Sequence, residues 1–400
     1  MPVDSTLDGL HSYQDSHPWI TFKATDLNEL GPKLWMLMGE ARSKCEHLAG
    51  TPLRPDVAAR LYEVMLVRGA HATTAIEGNT LTEEQVAGIL HGSYKAPPSR
   101  AYQEREVRNV LQGLEAIATQ ILQRQTPEIT PALICEYNRQ ILDGTEYEQH
   151  VFPGKIRNYS VGLPGYRGAP AEDCENLLDR LAQWLESDTF RSDDPEIQFA
   201  LATACAVYAH LYIAWIHPFG DGNGRTARLL EFLIFARSEM VPLPAAHLLS
   251  NHYNLTRDQY YRELSEASGT AKTTDFVSYA VQGFVDGLRD QIDRVRAQQY
   301  TVTWTNFVHE TLGRYPSSPS RERQRALVLA LPSGQVIPRS ELPGLSPKLA
   351  ALYAKGGPRI LSRDINRLRE ADLIVKRRNG WQSNDATIKA FLPPMAATDH

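Results

Sequence analysis

The chain has 400 residues, 42% of them hydrophobic, and carries a formal net charge of −5 at pH 7. Its length is enough for two or three domains with large cores, and its charge is that of an ordinary soluble protein. Its four cysteines show no C-x-x-C pairing and no regular framework. This excludes a disulfide scaffold and makes reduced thiols in the cytoplasm the simplest interpretation.

The first residues contain neither a basic n-region nor an apolar h-region, so we expect no signal peptide and a cytoplasmic location. One segment tests the expectation that no part of the chain crosses a membrane. Residues Phe199 to Ile216, FALATACAVYAHLYIAWI, carry no formal charge and approach the length of a membrane span. His210 and the many small residues instead favour the buried central helix of a helical domain.

The chain up to about residue 300 is predicted to be mostly helical. RPDVAARLYEVMLVRGAHATTAIEG has apolar residues at helical spacing, so a long helix is expected over about residues 55–78. Thr82, with Gln85 three positions later, forms a capping-box signal for the next helix. A further helix is expected near Glu104–Leu122. We assign residues 1–110 to an N-terminal helical region.

VFPGKIRNYSVGLPGYRGAP, Val151 to Pro170, interrupts this helical pattern. It alternates short β-favouring runs with Pro and Gly, which predicts a hairpin or an extended flap. Helices resume at AEDCENLLDRLAQWLES and continue through the apolar run. The predicted core covers residues 111–300, and GRYPSSPSRE places a linker at residues 301–320.

Residues 321–400 are predicted to form a separate basic domain. From Arg321 to Arg378, thirteen Lys and Arg face five Asp and Glu, a local charge of +8, which leaves −5 − 8 = −13 for the rest of the chain. Three short helices followed by a hairpin with Asn379-Gly380 as its turn resemble a winged helix-turn-helix. This gives the whole chain a mostly α fold with a small α+β domain at its end.

The third of these helices has the pattern of a helix that reads a DNA groove. Ile365 and Leu368 would face the core, which leaves Arg363, Asn366 and Arg367 pointing outward. Cations of the hairpin would lie near phosphates; they are Lys376, Arg377 and Arg378. Winged-helix modules also serve protein contacts, so DNA and protein both stay open as partners of this domain.

IHPFGDGNGRTAR, Ile216 to Arg228, places charged residues around three glycines directly after the apolar run. A Walker A loop would need a Lys that is missing here, and a dinucleotide fingerprint would need a βαβ unit. A calcium loop starting at Asp221 would place Arg225 where an acidic residue belongs and Phe232 at the twelfth position. What remains is an anion site at the start of a helix, whose free N–H groups and positive end meet at one point.

The residue types of this loop suit phosphate chemistry. Arg225 and Arg228, three apart, lie on the same side of the expected helix and could hold two phosphates. Asp221 is a hard oxygen ligand suited to Mg²⁺, and His217 could take a proton near neutral pH.

The same stretch resembles the Fic-family signature H-P-F-x-[D/E]-G-N-G-R-x-x-R at every specified position, and the wider resemblance covers roughly residues 20–300. It implies a Fic helical core with a β-hairpin flap, and transfer of AMP from ATP to a Ser, Thr or Tyr hydroxyl of a protein. Position by position, it implies that His217 is the general base and that Asp221 holds Mg²⁺ against the α- and β-phosphates. Arg225 and Arg228 would orient the β- and γ-phosphates. The anion hole would be formed by Gly222, Asn223 and Gly224.

TTAIEGN resembles the inhibitory motif [S/T]-x-x-x-E-[G/N] of the same family, read as Thr73, Glu77 and Gly78. Glu77 would lie in the last helical turn, where the helix dipole disfavours a carboxylate, and pairing with Arg228 would explain its presence. Such a pair would keep Arg228 from holding the γ-phosphate productively. The resemblance therefore implies autoinhibition in cis by Glu77.

Several functional points stay open at this stage. Tyr253, Tyr260 and Tyr261 are candidates for contacts with the nucleoside, with core packing as the alternative for each. The same site could transfer another nucleotide, or remove AMP with a water positioned by Glu77. One relative of the family phosphorylates its target and carries Lys where this chain has Gly224, which favours nucleotidyl transfer here. A DNA-binding regulator is the alternative outside enzymes. The sequence does not identify the target protein, and this chain itself is one candidate. Relatives often form dimers, so a homodimer also stays open.

Overall fold

The computed structural model describes residues 12–25, 31–163, 166–270, 273–314, 318–354 and 358–389. The chain divides into two compact units, with the boundary after Ile292. Parts of each predicted region lie outside the described residues. They are residues 1–11 and 26–30 of the predicted N-terminal region, 164–165 of the flap, 271–272 of the core, 315–317 of the linker, and 355–357 and 390–400 of the C-terminal domain.

The first unit is mostly helical, which confirms that prediction, and its described residues contain one short antiparallel pair of strands. The strands are β1 (Gly162–Leu163) and β2 (Tyr166–Arg167), and they lie within the predicted flap. The helices are α1 Ser12–Ser16, α2 Pro32–Gly50, α3 Pro55–Ala75, α4 Glu83–Leu90, α5 Ala101–Leu122, α6 Pro131–Ile141, α7 Cys174–Leu185, α8 Pro195–Ile216, α9 Asn223–Arg237, α10 Leu248–Leu255, α11 Arg257–Thr270 and the first part of α12 Thr273–Gly313.

Helix ends in the first unit follow local sequence signals. Helix α3 has Pro55 at its first position, where a missing N–H costs nothing, and the turn after it contains Gly78 at φ +97°. Helix α4 begins with the predicted capping box. The Thr82 side chain accepts from the backbone N–H of Gln85, and the Gln85 side chain accepts from the backbone N–H of Thr82.

Helices α8 and α9 form the centre of the first unit and pack against each other. Helix α8 is long and apolar enough to cross a membrane by length and composition, but 94% of its most apolar window is buried inside the protein. A helix that is apolar on all sides is expected where other helices surround it. The two helices are joined by the glycine-rich loop, so the core fixes both ends of that loop.

The predicted boundary near residue 110 does not separate two compact units. Helix α5 itself crosses residue 110, and α3, from the predicted N-terminal region, packs against α4 and α5 and against α10 of the predicted core. The two regions share one hydrophobic core, and the first unit includes residues of both.

The second unit has its own core, which includes Trp304, Val308 and Leu312 of α12. The predicted linker at residues 301–320 differs from the structure, because α12 continues through Gly313. No Pro or Gly interrupts residues 288–312, and the three core residues recur at a helical spacing of four. The remaining elements are α13 Pro319–Ala330, α14 Pro347–Ala354, α15 Pro358–Glu370, β3 Ile374–Arg377, β4 Gly380–Ser383 and α16 Ala386–Lys389.

The hairpin of the second unit is shifted by one residue from the prediction. Arg377 pairs with Gly380, so the turn consists of Arg378 and Asn379 rather than Asn379 and Gly380. Gly380 lies in strand β4 at a position that requires glycine, because the backbone of Ile337 approaches it so closely that a Cβ would overlap the Ile337 carbonyl. The second predicted helix of this unit is expected over PRSELPGLSPKLAALYA, residues 338–354. It is shorter in the structure, because Pro347 starts α14 after a 3₁₀ turn at Leu342–Gly344.

Candidate active site

His217 lies at the C-terminal end of α8, where the chain leaves the core. Its N–H donates to the carbonyl of Ile213, and its backbone is left-handed, with φ 48° and ψ 56°. For a residue other than glycine this conformation costs about 1 kcal/mol or more and persists only where neighbouring contacts hold it. The turn directs the chain into the loop that leads to α9.

Helix α9 begins at Asn223, after Gly222 at φ +77°. The N–H groups of its first turn have no carbonyl partner within the helix, so they can bind an anion together with the positive end of the helix dipole. The Asn223 side chain has a different task. Its Oδ1 accepts from Phe219 N at 2.9 Å and its Nδ2 donates to Phe219 O at 2.8 Å. Within the predicted anion hole, the Asn223 side chain therefore holds the loop, which leaves the backbone N–H as the group of this residue available to an anion.

Replacing Asn223 with alanine is expected to lower the free energy of unfolding by about 2 kcal/mol, because two buried hydrogen bonds of about 1 kcal/mol each are lost. Urea unfolding followed by circular dichroism measures this. Asn158→Ala, at an exposed position of the flap region, is the control and should unfold like the original protein. Equal stability of the Asn223 variant would contradict the clamp.

Asp221 is the carboxylate of the loop, with 43% of its side chain exposed. Its Oδ1 accepts from Arg225 Nη2 at 3.0 Å and from the N–H of Gly222. Among the described residues, no group of three or more His, Cys, Asp or Glu is arranged to hold a metal ion. Mg²⁺ is usually bound by one or two carboxylates together with waters and substrate phosphates. A single exposed Asp221 fits an ion that arrives with a nucleotide.

Arg225 is buried between two carboxylates. Its Nη1 donates to Glu106 Oε1 at 3.1 Å, and its other terminal nitrogen reaches Asp221. The second oxygen of Glu106 accepts from Asn79 Nδ2 at 3.0 Å. Glu106 thus connects the turn after α3 to the loop. Sequence reasoning missed it, because nothing in the polar face of α5 distinguishes it from its exposed neighbours.

Arg228 is only 2% exposed. Whereas Arg225 pairs with Asp221 and Glu106, the Arg228 side chain lies against the end of α3 and the turn that follows. Its Nη2 donates to Glu77 Oε1 at 2.6 Å and to the carbonyl of Thr73 at 2.9 Å. The Glu77 carboxylate also lies against Gly224, where a Cβ would overlap Oε1. A carboxylate therefore occupies the space beside the first turn of α9, where an anion is favoured.

The charges of this site determine its protonation. Burial by itself raises the pKa of Glu77, but Arg228 and Arg225 outweigh it, and the net pKa lies below the ordinary 4.5. Burial, followed by the nearby charge of Arg157, lowers the pKa of His217 to about 4. At neutral pH Glu77 is therefore ionised, and His217 is a neutral imidazole that can accept a proton.

Two further buried residues hold the loop in place. Asn138 on α6 donates from Nδ2 to the carbonyl of Asp221 at 2.8 Å and accepts on Oδ1 from Gly154 N at 2.9 Å. Arg157, in the segment before β1, donates from Nε to the carbonyl of His217 at 2.7 Å. Asn138 had a sequence signal, because it is a polar residue on the apolar face of α6. The role of Arg157 had none.

The three tyrosines predicted near the nucleoside lie in different surroundings. Tyr253 is fully buried and donates to Glu231 Oε1 at 2.9 Å. Tyr260 is also buried and is hydrogen-bonded to His210 Nε2 at 2.8 Å. The structure thus places both rings in the core. Tyr261 is 39% exposed, and its hydroxyl donates to the carbonyl of Ile76, next to Glu77.

The residues predicted to contact DNA lie on α15 of the second unit. Ile365 and Leu368 are buried, while Arg363, Asn366 and Arg367 are exposed. Between them in the sequence is a fully buried carboxylate that sequence reasoning missed. It is Asp364, which accepts from Arg323, Gln324, Ser320 and Tyr353.

Comparison with known proteins finds a family that is similar to the region around the loop. Residues 128–235 match the model of the Fic/DOC family. The chain is 29% identical over 232 residues to protein adenylyltransferase fic-1 of Caenorhabditis elegans, covering 56% of this chain and 42% of that protein. It is 33% identical over 199 residues to protein adenylyltransferase fic-1 of Caenorhabditis briggsae, covering 49% and 35%. The chain thus spans less than half the length of these relatives.

A solved structure extends the similarity of fold beyond the matched domain. The crystal structure of a Fic family protein from Desulfovibrio desulfuricans G20 superposes with a TM-score of 0.56 at 22% identity. It covers 94% of this chain and 97% of that one. The matched residues 128–235 include His217, Asp221 and the two arginines of α9. Residues 128–235 of this chain are therefore similar to the Fic/DOC family domain.

Proposed function

We propose that this chain transfers AMP from ATP to a Ser, Thr or Tyr hydroxyl of a protein. The observation that carries the proposal is the convergence of four groups at one helix start. A neutral His217, an exposed Asp221 and the guanidinium groups of Arg225 and Arg228 surround the first turn of α9. The relatives named as protein adenylyltransferases support the same reaction class.

In the proposed reaction, His217 removes the proton from the attacking hydroxyl. The hydroxyl oxygen forms a bond to the α-phosphorus, the bond from that phosphorus to the oxygen leading to the β-phosphorus breaks, and pyrophosphate leaves. The N–H groups of α9 bind phosphate oxygens, and Arg225 and Arg228 orient the departing phosphates. A bound Mg²⁺, held by Asp221, supplies positive charge that offsets the charge on the phosphates.

We further propose that Glu77 restrains this reaction. Its Oε1 lies 2.6 Å from Arg228 Nη2 and against Gly224. The carboxylate therefore binds the arginine, and fills the space, that the terminal phosphate of ATP needs. Two like charges cannot share that space, so ATP binds weakly or in an unproductive position while Glu77 is in place. Because the pKa of Glu77 is lowered, the restraint holds across the neutral pH range and weakens only as pH falls through that lowered pKa.

The choice between ATP labelled at the α- or the γ-phosphate tests the reaction class. The Glu77→Gly protein with Mg²⁺ is expected to acquire label on protein from α-³²P-ATP and none from γ-³²P-ATP, and EDTA should abolish the labelling. Label from γ-³²P-ATP alone would identify phosphoryl transfer and overturn the proposal. The protein itself is the first acceptor to use, because labelling of its own exposed hydroxyls can be measured before the target is identified.

A second candidate function rests on the second unit. Arg363, Asn366 and Arg367 are exposed on one face of α15, and Arg377 and Arg378 lie at the hairpin turn. We propose that this unit is a winged helix-turn-helix that binds DNA, with α15 in the major groove and the hairpin near the backbone. Its binding would be independent of adenylyl transfer.

Salt dependence tests DNA binding. Fluorescence anisotropy with a labelled duplex should show an affinity that falls steeply between about 50 and 200 mM salt. Arg377→Ala and Arg378→Ala, in the hairpin expected near the phosphates, should each reduce the slope of log affinity against log salt by about 1. Arg60→Ala, at an exposed position on α3, is the control. No binding by the full chain at low salt would remove this function.

A further inference from the structure

Arg157 is a buried guanidinium whose partners are main-chain carbonyls. It is 4% exposed, and within the described part of the chain no carboxylate lies within ion-pair distance of it. Burying a charge is costly unless its donors are satisfied, so the hydrogen bonds of this guanidinium determine what it contributes to the structure. Its side chain donates to the carbonyls of His217 at 2.7 Å, Tyr159 at 2.6 Å, Ile216 at 3.3 Å and Ala169.

Two of these carbonyls belong to the end of α8. The last carbonyls of a helix lack partners and carry the negative end of its dipole, so a cation there is favourable. Arg157 therefore caps α8 from outside the helix. The backbone N–H of Arg157 also donates to the carbonyl of Pro218 at 2.9 Å, so the same residue fixes the chain on both sides of His217's carbonyl.

The remaining bonds connect this cap to the flap. Tyr159 precedes β1 and Ala169 follows β2, so one side chain joins both ends of the strand pair to the loop. Gly168 beside it leaves no spare room, since a Cβ there would lie 3.0 Å from Arg157 Nη2 and 3.0 Å from His217 Cβ. The flap and His217 are thus held in one fixed arrangement.

We infer that Arg157 is a positioning residue for the proposed adenylyl transfer: it holds His217 in its left-handed conformation and aligns the flap with it. This inference rests on the proposed function for its effect on rate. The charge of Arg157 also reaches the imidazole, where it acts with burial to lower the pKa of His217, while Glu77 and Asp221 act in the opposite direction. Loss of Arg157 should therefore change both the rate and the protonation of His217.

Arg157→Met and Arg157→Lys, made in the Glu77→Gly protein, test the inference. The Met variant is expected to lose about 10- to 100-fold in kcat, because small misplacements of a reacting group cost that much. The KM for ATP should change little, because Arg157 donates to none of the residues expected to hold phosphates. The Lys variant, which keeps the charge but has no planar fork, should lose less.

NMR titration of the His217 ring, with His217→Ala for assignment, gives a readout that needs no activity. In Arg157→Met the midpoint should move up toward 6.5, whereas Arg157→Lys should keep it near its original value. Lys155→Met removes an exposed cation two residues away and should change neither the rate nor the midpoint.

The outcomes separate the possible failures. If no variant labels protein but the midpoint moves as expected, the proposed function fails while the placement of Arg157 beside His217 stands. An unchanged kcat and midpoint in a folded Met variant would overturn the inference. If the Met variant does not fold, the Lys variant decides: a reduced kcat supports the inference and an unchanged kcat overturns it.

Discussion

Replacing Glu77 with glycine is expected to raise the rate of AMP transfer by about 10- to 100-fold. The substitution frees Arg228, whose Nη2 donates to Glu77 Oε1 at 2.6 Å, and clears the space against Gly224. A hydrogen bond between charged groups contributes about 1.5–3 kcal/mol, which corresponds to that range of rates if ATP must break it to bind productively. The initial rate of labelling from α-³²P-ATP measures the effect.

The matched control is Glu146→Gly, which removes a carboxylate from an exposed loop of the same unit. It should leave the rate unchanged. A Glu77→Gln variant adds a second comparison, because it keeps the size of the side chain and removes its charge. Gln should weaken the restraint only in part, since an amide oxygen can still accept from Arg228. Equal rates in the Glu77→Gly and original proteins would contradict the restraint.

His217→Ala, made in the Glu77→Gly protein, is expected to lower kcat by about 10²- to 10⁴-fold, the usual contribution of a general base. The affinity for ATP should stay within about threefold, because the phosphate groups are expected to contact the start of α9, Arg225 and Arg228 instead of His217. Isothermal titration calorimetry measures that affinity, and the labelling assay measures the rate.

The pH dependence of kcat/KM adds an independent check on the same residue. With the pKa of His217 lowered to about 4, the base is unprotonated at pH 6.5 and above, and activity should not fall until the pH is well below 6. A fall centred near pH 6.5 would mean that His217 is more open to water than the structure shows. His252→Ala is the control for removing a histidine, since that ring packs on Gly283 in the same unit, away from the loop.

The sequence predicts the loop and the long helix before it because their signals are local. Glycines, a run of apolar residues and a capping box each act on neighbours within a turn or two, so the end of α8 and the start of α9 follow from the residues nearby. Helix α3 is predicted to end near Gly78 but ends at Ala75, so Glu77 lies in the turn after the helix and not in its last turn. Domain boundaries could be predicted less well, because they depend on contacts between distant parts of the chain. The apolar stripes of α3 and α12 find their partners far along the chain.

The supporting residues of the site are the part that sequence reasoning missed. Arg157, Glu106 and Asn138 reach the loop across 60 to 119 positions. Asn138 stands out as a polar residue on the apolar face of α6, but that signal does not identify its partner, and Arg157 and Glu106 carry no spacing that reveals theirs. For Tyr253 the sequence leaves nucleoside contact and core packing open. Its ring is fully buried and bonded to Glu231, so it packs in the core.

The most direct test measures protein labelling from α-³²P-ATP and Mg²⁺ in three proteins side by side: the original, Glu77→Gly, and Glu77→Gly combined with His217→Ala. The account predicts slow labelling in the first, labelling about 10- to 100-fold faster in the second, and a rate in the third at least about 100-fold below the second. Equal rates in all three, or no label in the Glu77→Gly protein although it binds ATP, would contradict it.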